Sequence, residues 1–113
     1  MKEYRKLSAE EIALLEAAAC TAEDWNEVEV AEGFDARCVR NVNFSGKIRL
    51  GSFGHIFELP GGVRRKAGIE NACLHNVSLG DGCLVRNVNN YIANYEIGDR
   101  CFIENVGVMA VDG

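Results

Sequence analysis

The 113 residues suffice for about one domain, with 48% hydrophobic and 26% charged residues and a formal net charge of −5. No run of about 18 apolar residues occurs, so no transmembrane helix and no membrane partner are expected. Nothing in the chain is basic enough to form a nucleic-acid track. The charge is uneven: residues 1–37 hold 10 acids and 4 bases, residues 38–113 hold 7 acids and 8 bases.

The N-terminus lacks the apolar core of a secretory signal, so a cytoplasmic location is expected. Ser8-Ala9-Glu10-Glu11 reads as a capping box: the Ser8 oxygen accepts an orphan helix N–H and Glu11 reaches back. Ile12, Leu15 and Ala19 then line one helical face, which predicts a helix over about 9–20. Thr21 and Asp24 predict a second helical turn carrying Trp25. Val28 and Val30 alternate with acids and read as the start of a strand. Residues 1–34 are therefore expected to form an acidic helical cap, with Ile12, Leu15 and Trp25 buried, over a β segment spanning 35–113.

Within that segment the chain repeats itself. The form apolar-polar-Asn-small apolar recurs at Val39–Val42, Ile69–Ala72, Leu74–Val77, Val85–Val88 and Ile103–Val106. Asn tolerates a left-handed backbone, so these positions read as corners. Leu79-Gly80-Asp81 returns as Ile97-Gly98-Asp99, Cys83 as Cys101 and Val85 as Ile103, each 18 residues later. Leu79, Val85, Tyr91, Ile97, Ile103 and Met109 supply one apolar residue per hexad. The period predicts an all-β solenoid in which Cys83 and Val85 lie beneath Cys101 and Ile103, and in which Asn87 meets Asn105. The five cysteines form no C-x-x-C pair and read as small buried hydrophobes. Residues 53–68 break the rhythm with the only Pro, a Gly-Gly turn and Arg64-Arg65-Lys66, and read as a loop thrown out at a corner.

The hexads Leu79–Leu84 and Ile97–Phe102 resemble the bacterial hexapeptide-repeat transferases. The wider pattern, from Trp25 through Phe44-Ser45-Gly46, Pro60-Gly61-Gly62 and Asn90–Tyr95 to Val111-Asp112-Gly113, looks like the N-terminal part of a larger bacterial β-helix family of unknown function. The resemblance implies a left-handed parallel β-helix with the short N-terminal helix as its cap. That handedness runs against the usual crossover rule and comes from the resemblance alone.

Three functions follow as expectations. The first is acyl transfer to a sugar or nucleotide-sugar from acyl-CoA or an acyl carrier protein, at a site between subunits of a homo-oligomer, trimeric by resemblance. His75 or His55 would then be the general base. Arg64, Arg65 and Lys66 would hold a phosphate. The second is a γ-type carbonic anhydrase, whose three zinc-binding histidines cannot come from two in non-equivalent places, so no metal site is expected. The third is a non-catalytic scaffold or assembly module, which needs no chemistry. The hexads are most regular where the chain stops, and Val106, Val108, Met109 and Val111 offer no polar cap. The expectation is a fragment of a longer protein or an end buried in an oligomer.

Overall fold

The computed structural model describes residues 3–88, 91–104 and 108–110. Strand β1 (Tyr4–Lys6) leads into helix α1 (Ala9–Ala17) and the short β2 (Thr21–Ala22). A 3-10 turn (Trp25–Glu27), β3 (Val28–Ala31) and a second turn (Ala36–Cys38) lead to β4 (Val39–Leu50). A hairpin of β5 (Ile56–Leu59) and β6 (Val63–Lys66) precedes β7 (Gly68–Leu79). Short strands close the chain: β8 (Leu84–Arg86), β9 (Tyr91–Ala93), β10 (Glu96–Ile97), β11 (Phe102–Glu104) and β12 (Val108–Ala110).

Ser8 caps α1 as expected: its Oγ accepts from Glu11 N at 3.2 Å, and Ser8 N donates to Glu11 Oε1 at 2.9 Å. Glu11 also takes two hydrogen bonds from the Arg5 guanidinium, at 2.7 and 2.9 Å, which tie β1 to the helix. The helix stops sooner than its alanines predict. Ala19 turns left-handed (φ 66°), Cys20 N donates to Leu15 O at 2.9 Å and Ala19 N donates to Glu16 O at 3.1 Å. That pairing is a Schellman stop with Ala where Gly is usual, at a cost of about 1 kcal/mol. Asp24, rather than Thr21, caps the turn at Trp25, its Oδ1 accepting from Asn26 N at 2.9 Å. Thr21 instead lies in β2 against β4 and hydrogen-bonds Asn43.

The long strands β4 and β7 run parallel through most of their length and are bent by asparagine. Asn41, Asn71 and Asn76 sit at φ 51–53°, with Asn87 at 54° and Asn94 at 61°. Inward residues of β7 are Ile69, Ala72, Leu74, Val77 and Leu79, so each left-handed Asn inserts one extra residue. A flat strand alternates strictly, and without that insertion the apolar set would turn outward. The amides interlock: Asn41 Nδ2 donates to Asn71 Oδ1 at 2.8 Å, and Asn71 Nδ2 to Asn87 Oδ1 at 3.1 Å. The Asn105-Val106 copy, Asn90, Val111-Asp112-Gly113 and the side chains of Val108 and Met109 lie outside the described residues.

The expected all-β solenoid, a left-handed parallel β-helix, is not what the chain forms. The structure is a mixed α/β globule, 41 × 32 × 31 Å, with, among the described residues, a ten-stranded mixed sheet, one helix and a separate two-stranded sheet. β1 runs antiparallel to β3 (Tyr4↔Ala31). The offset between paired residues also changes along the chain. Val28 faces Ile48, Val39 faces Ile69 and Ile69 faces Val85; only later do Val85 and Ile103, Leu79 and Ile97 recover the offset of 18. The regular offset of 18 that the hexads carry belongs to the later strands.

Val28, Val30, Val39, Val42, Ile48, Leu50, Leu74, Val77 and Val85 are all essentially inaccessible, in one cluster that also takes in Leu15 of α1. Ile12 and Trp25 are half-buried against it. Of the cysteines, Cys20 and Cys83 are buried, and burial pushes both thiols up; Cys38, Cys73 and Cys101 are half-buried. The 53–68 loop is the β5–β6 hairpin, turned through Pro60, Gly61 (φ 85°) and Gly62 (φ 81°).

Asn71→Ala is expected to cost about 2 kcal/mol, half from the left-handed backbone and half from two exposed amide bonds. Asn71→Gly keeps the backbone and should cost about 1 kcal/mol. Urea titration that finds equal losses would show that conformation is not what Asn71 supplies. The Arg5 hydrogen bonds, against partial desolvation, lower the Glu11 carboxyl from 4.5 to about 2. A lowered pKa contributes stability that is whole above about 4.5 and disappears as pH falls toward 2. Glu11→Gln should therefore flatten the fall of the unfolding midpoint across that window, and an unchanged profile would refute the linkage.

Candidate functional site

His75 lies on β7 opposite Ser45 of β4, and Ser45 Oγ is 2.9 Å from His75 Nδ1. A serine beside an exposed imidazole is the starting geometry for nucleophilic catalysis, so the polarity of the bond matters. Asn76 decides it. Asn76 Oδ1 accepts from the backbone N–H of Lys47 at 2.9 Å, beside a bulge between Ser45 and Ile48. This fixes which end of the amide is nitrogen. Asn76 Nδ2 then donates to His75 Nε2 at 3.2 Å and to Asn94 Oδ1 at 3.3 Å. In the neutral ring Nε2 is thus the acceptor, Nδ1 carries the proton, and Nδ1–H donates to Ser45 Oγ. The imidazole supports Ser45 rather than withdrawing its proton.

The bulge leaves no choice of residue at Gly46. It lies at φ 67°, and a Cβ there would sit 2.0 Å from Asn76 Oδ1. Ser45, Lys47, Asn76 and the two ring nitrogens of His75 are one hydrogen-bonded unit.

His55 is elsewhere, at the root of the hairpin, edge-on to Phe57 with centroids 4.6 Å apart. Phe57 in turn meets Phe102 of β11 at 5.4 Å. His55 O accepts from Ala67 N at 2.9 Å, which closes the hairpin base. The three bases are also separated, because strand alternation splits them. Arg64 pairs with Glu58 across the hairpin at 3.5 Å, with both side chains more than 70% exposed. Arg65 is opposite Phe57 and half-buried. Lys66 alone lines a cleft of about 490 Å³, with Arg37, Arg40, Asp35 and Glu70. There Arg37 is held by Asp35 at 3.1 Å, and Arg40 by Glu70 at 3.7 Å. The bidentate Arg37 contact holds the Asp35 carboxyl below its usual range.

Ser45, Arg37 and Arg40 were not singled out by the sequence. Ser45 stands 30 residues before His75, and only the β4–β7 register joins them. Arg37 lies within a 3-10 turn and Arg40 two residues beyond it, and the Asp35 cap of that turn was the legible sign. His55 and His75 line none of four open clefts of about 380–600 Å³. Among the described residues no group of three or more His, Cys, Asp or Glu is placed to hold a metal ion. Among them too, no helix is long and apolar enough to cross a membrane.

Residues 4–113 match the model of a domain of unknown function, DUF4954. The chain belongs to the DUF4954 family. An uncharacterized protein of Treponema pallidum (strain Nichols) is 32% identical over 98 residues, an alignment covering 81% of this chain and 13% of that protein. The chain therefore spans about an eighth of the length of the curated relative it matches. No solved structure matches it. These findings, with the mixed sheet, correct the resemblance to hexapeptide-repeat transferases and to a larger β-helix family: the matching family is DUF4954.

Nitrogen-15 NMR of the side chains checks the tautomer. His75 should show a protonated Nδ1 and an acceptor Nε2 in the neutral ring. A protonated Nε2 would mean that Nδ1 is free to act as a base on Ser45.

Proposed function

We propose that this DUF4954 domain is a non-catalytic assembly module. The observation that carries the reading is the bonding of His75. Its acceptor nitrogen faces the Asn76 amide at 3.2 Å, and its proton serves Ser45. A general base must turn its lone pair on an incoming hydroxyl. Side-chain hydrogen bonds between neighbouring strands and corners are also internal, amide to amide or carboxylate to backbone. Such bonds hold strands in register and take no substrate.

The competing reading is acyl transfer from acyl-CoA or an acyl carrier protein to a sugar or nucleotide-sugar. Two features favour it: an exposed His–Ser pair, and Lys66 in a cleft with two arginines. Phosphate would have to displace Asp35 and Glu70 from those arginines. A cytoplasmic setting belongs to the proposal as well, and the five unpaired cysteines support a reducing compartment.

Titration of the 113-residue chain with acetyl-CoA, followed by calorimetry, separates the two readings. No saturable heat is expected. Saturable binding that Lys66→Ala weakens, joined to acyl transfer that His75→Ala abolishes, would overturn the assembly reading.

A further inference from the structure

His75 lies where β4, β7 and β9 run side by side, Ser45 pairing with His75 and His75 with Ala93. Its ring is a bridge. Nδ1 is 2.9 Å from Ser45 Oγ, and Nε2 accepts from Asn76 Nδ2 at 3.2 Å. Between the two nitrogens, Cε1 stands 3.3 Å from the place that a Cβ on Gly46 would take, so this edge of the ring covers the glycine.

The ends of the bridge are unequally held. The Asn76 amide is fixed twice besides the ring: Oδ1 accepts from Lys47 N at 2.9 Å, and Nδ2 donates to Asn94 Oδ1 at 3.3 Å. His75 is exposed, and among the described residues Ser45 and Asn76 are its only polar partners. On the stretches of β4, β7 and β9 that pair here, and just past β2, the other titratable side chains are Lys47, Cys73, Tyr91 and Glu23. None of these bonds or pairs with the ring.

Imidazole is the side chain whose charge ordinarily changes between about pH 5 and 8. Because Nδ1 already carries a proton, one taken from water goes to Nε2. Nε2 then becomes a donor and faces the N–H of Asn76, so an attractive contact at 3.2 Å turns repulsive. Turning the Asn76 amide over gives no relief. Its nitrogen would then face Lys47 N–H, and its oxygen would face Asn94 Oδ1, so two bonds would be lost for one gained. The ring is the part free to move. Its remaining bond to the Ser45 hydroxyl competes with water for a charged group at the surface.

We infer that His75 is a pH-sensitive latch between β4 and β7: the neutral ring bridges Ser45 and Asn76 over Gly46, and the charged ring lets go of Asn76 and turns out into solvent. The opening is local. Asn76 keeps Lys47 and Asn94, so the strands stay paired while Gly46 loses its cover. The inference rests on the neutral-ring bonding that carries the assembly reading, and it adds a second state of that surface which acid selects.

Proton and nitrogen-15 NMR of the 113-residue chain between about pH 8 and 5 tests it. At the upper end an NOE should join His75 Hε1 to Gly46 Hα. It should vanish as the ring titrates, and the Asn76 side-chain amide signals should shift with the same midpoint as the ring. The Lys47 amide should keep its protection from exchange. His75→Gln should abolish the pH response of the Asn76 amide, and His55→Gln should leave it unchanged. An NOE that survives in the charged ring, an Asn76 amide that does not follow the titration, or a response that persists in His75→Gln would overturn the latch. None of these outcomes touches the acetyl-CoA titration, so the latch can fail while the assembly reading stands. A neutral ring already protonated at Nε2 would overturn both.

Discussion

A side-chain amide on a left-handed backbone is the interaction on which this structure depends. Asn can occupy positive φ at little cost and presents a donor and an acceptor on one short side chain. Asn71 uses both, accepting from Asn41 and donating to Asn87. Each amide thereby fixes the bend above and the bend below, and the bends keep Val42, Ala72 and Val88 turned inward. Aspartate at Asn71 would accept but not donate, and alanine would do neither. The apolar core is thus held by polar groups that never enter it: no polar or charged residue among those described is buried.

The carboxylates at the other corner work by similar logic with a different partner. Asp81 and Asp99 spend an oxygen on a backbone N–H rather than on a neighbouring side chain. The glycines beside them let the backbones come close enough for that reach. Surface ion pairs such as Arg64–Glu58 or Arg49–Glu29 are exposed and contribute little by comparison.

What could be read from residues alone was local. Ser8 and Glu11 declared the helix start because a capping box is a contact between near neighbours. The Asn tetrads declared left-handed corners, and Pro60-Gly61-Gly62 declared a turn. The helix end was hidden, since Ala19 adopts a conformation that its type does not advertise. Fold class was misread because the offset of 18 holds between Val85 and Ile103 but not between Val39 and Ile69, where a hairpin intervenes. For the site, His75 was visible and its meaning was not. Its chemistry depends on Ser45, Lys47 and Asn76, which the β4–β7 register and one bulge bring together.

The hairpin between β4 and β7 has a consequence for the order in which the chain gains structure. β4 and β7 pair across residues 51–67, which hold the hairpin. A hairpin forms from near neighbours on the microsecond scale, roughly 1–10 μs. Once Ala67 N meets His55 O, the span of about 30 residues between paired positions of the parallel strands shortens to about 19, which lowers the closure entropy by about 0.4 kcal/mol. Seen this way, β5 and β6 act as a splint: they shorten the connection across which β4 and β7 pair before the core assembles around it.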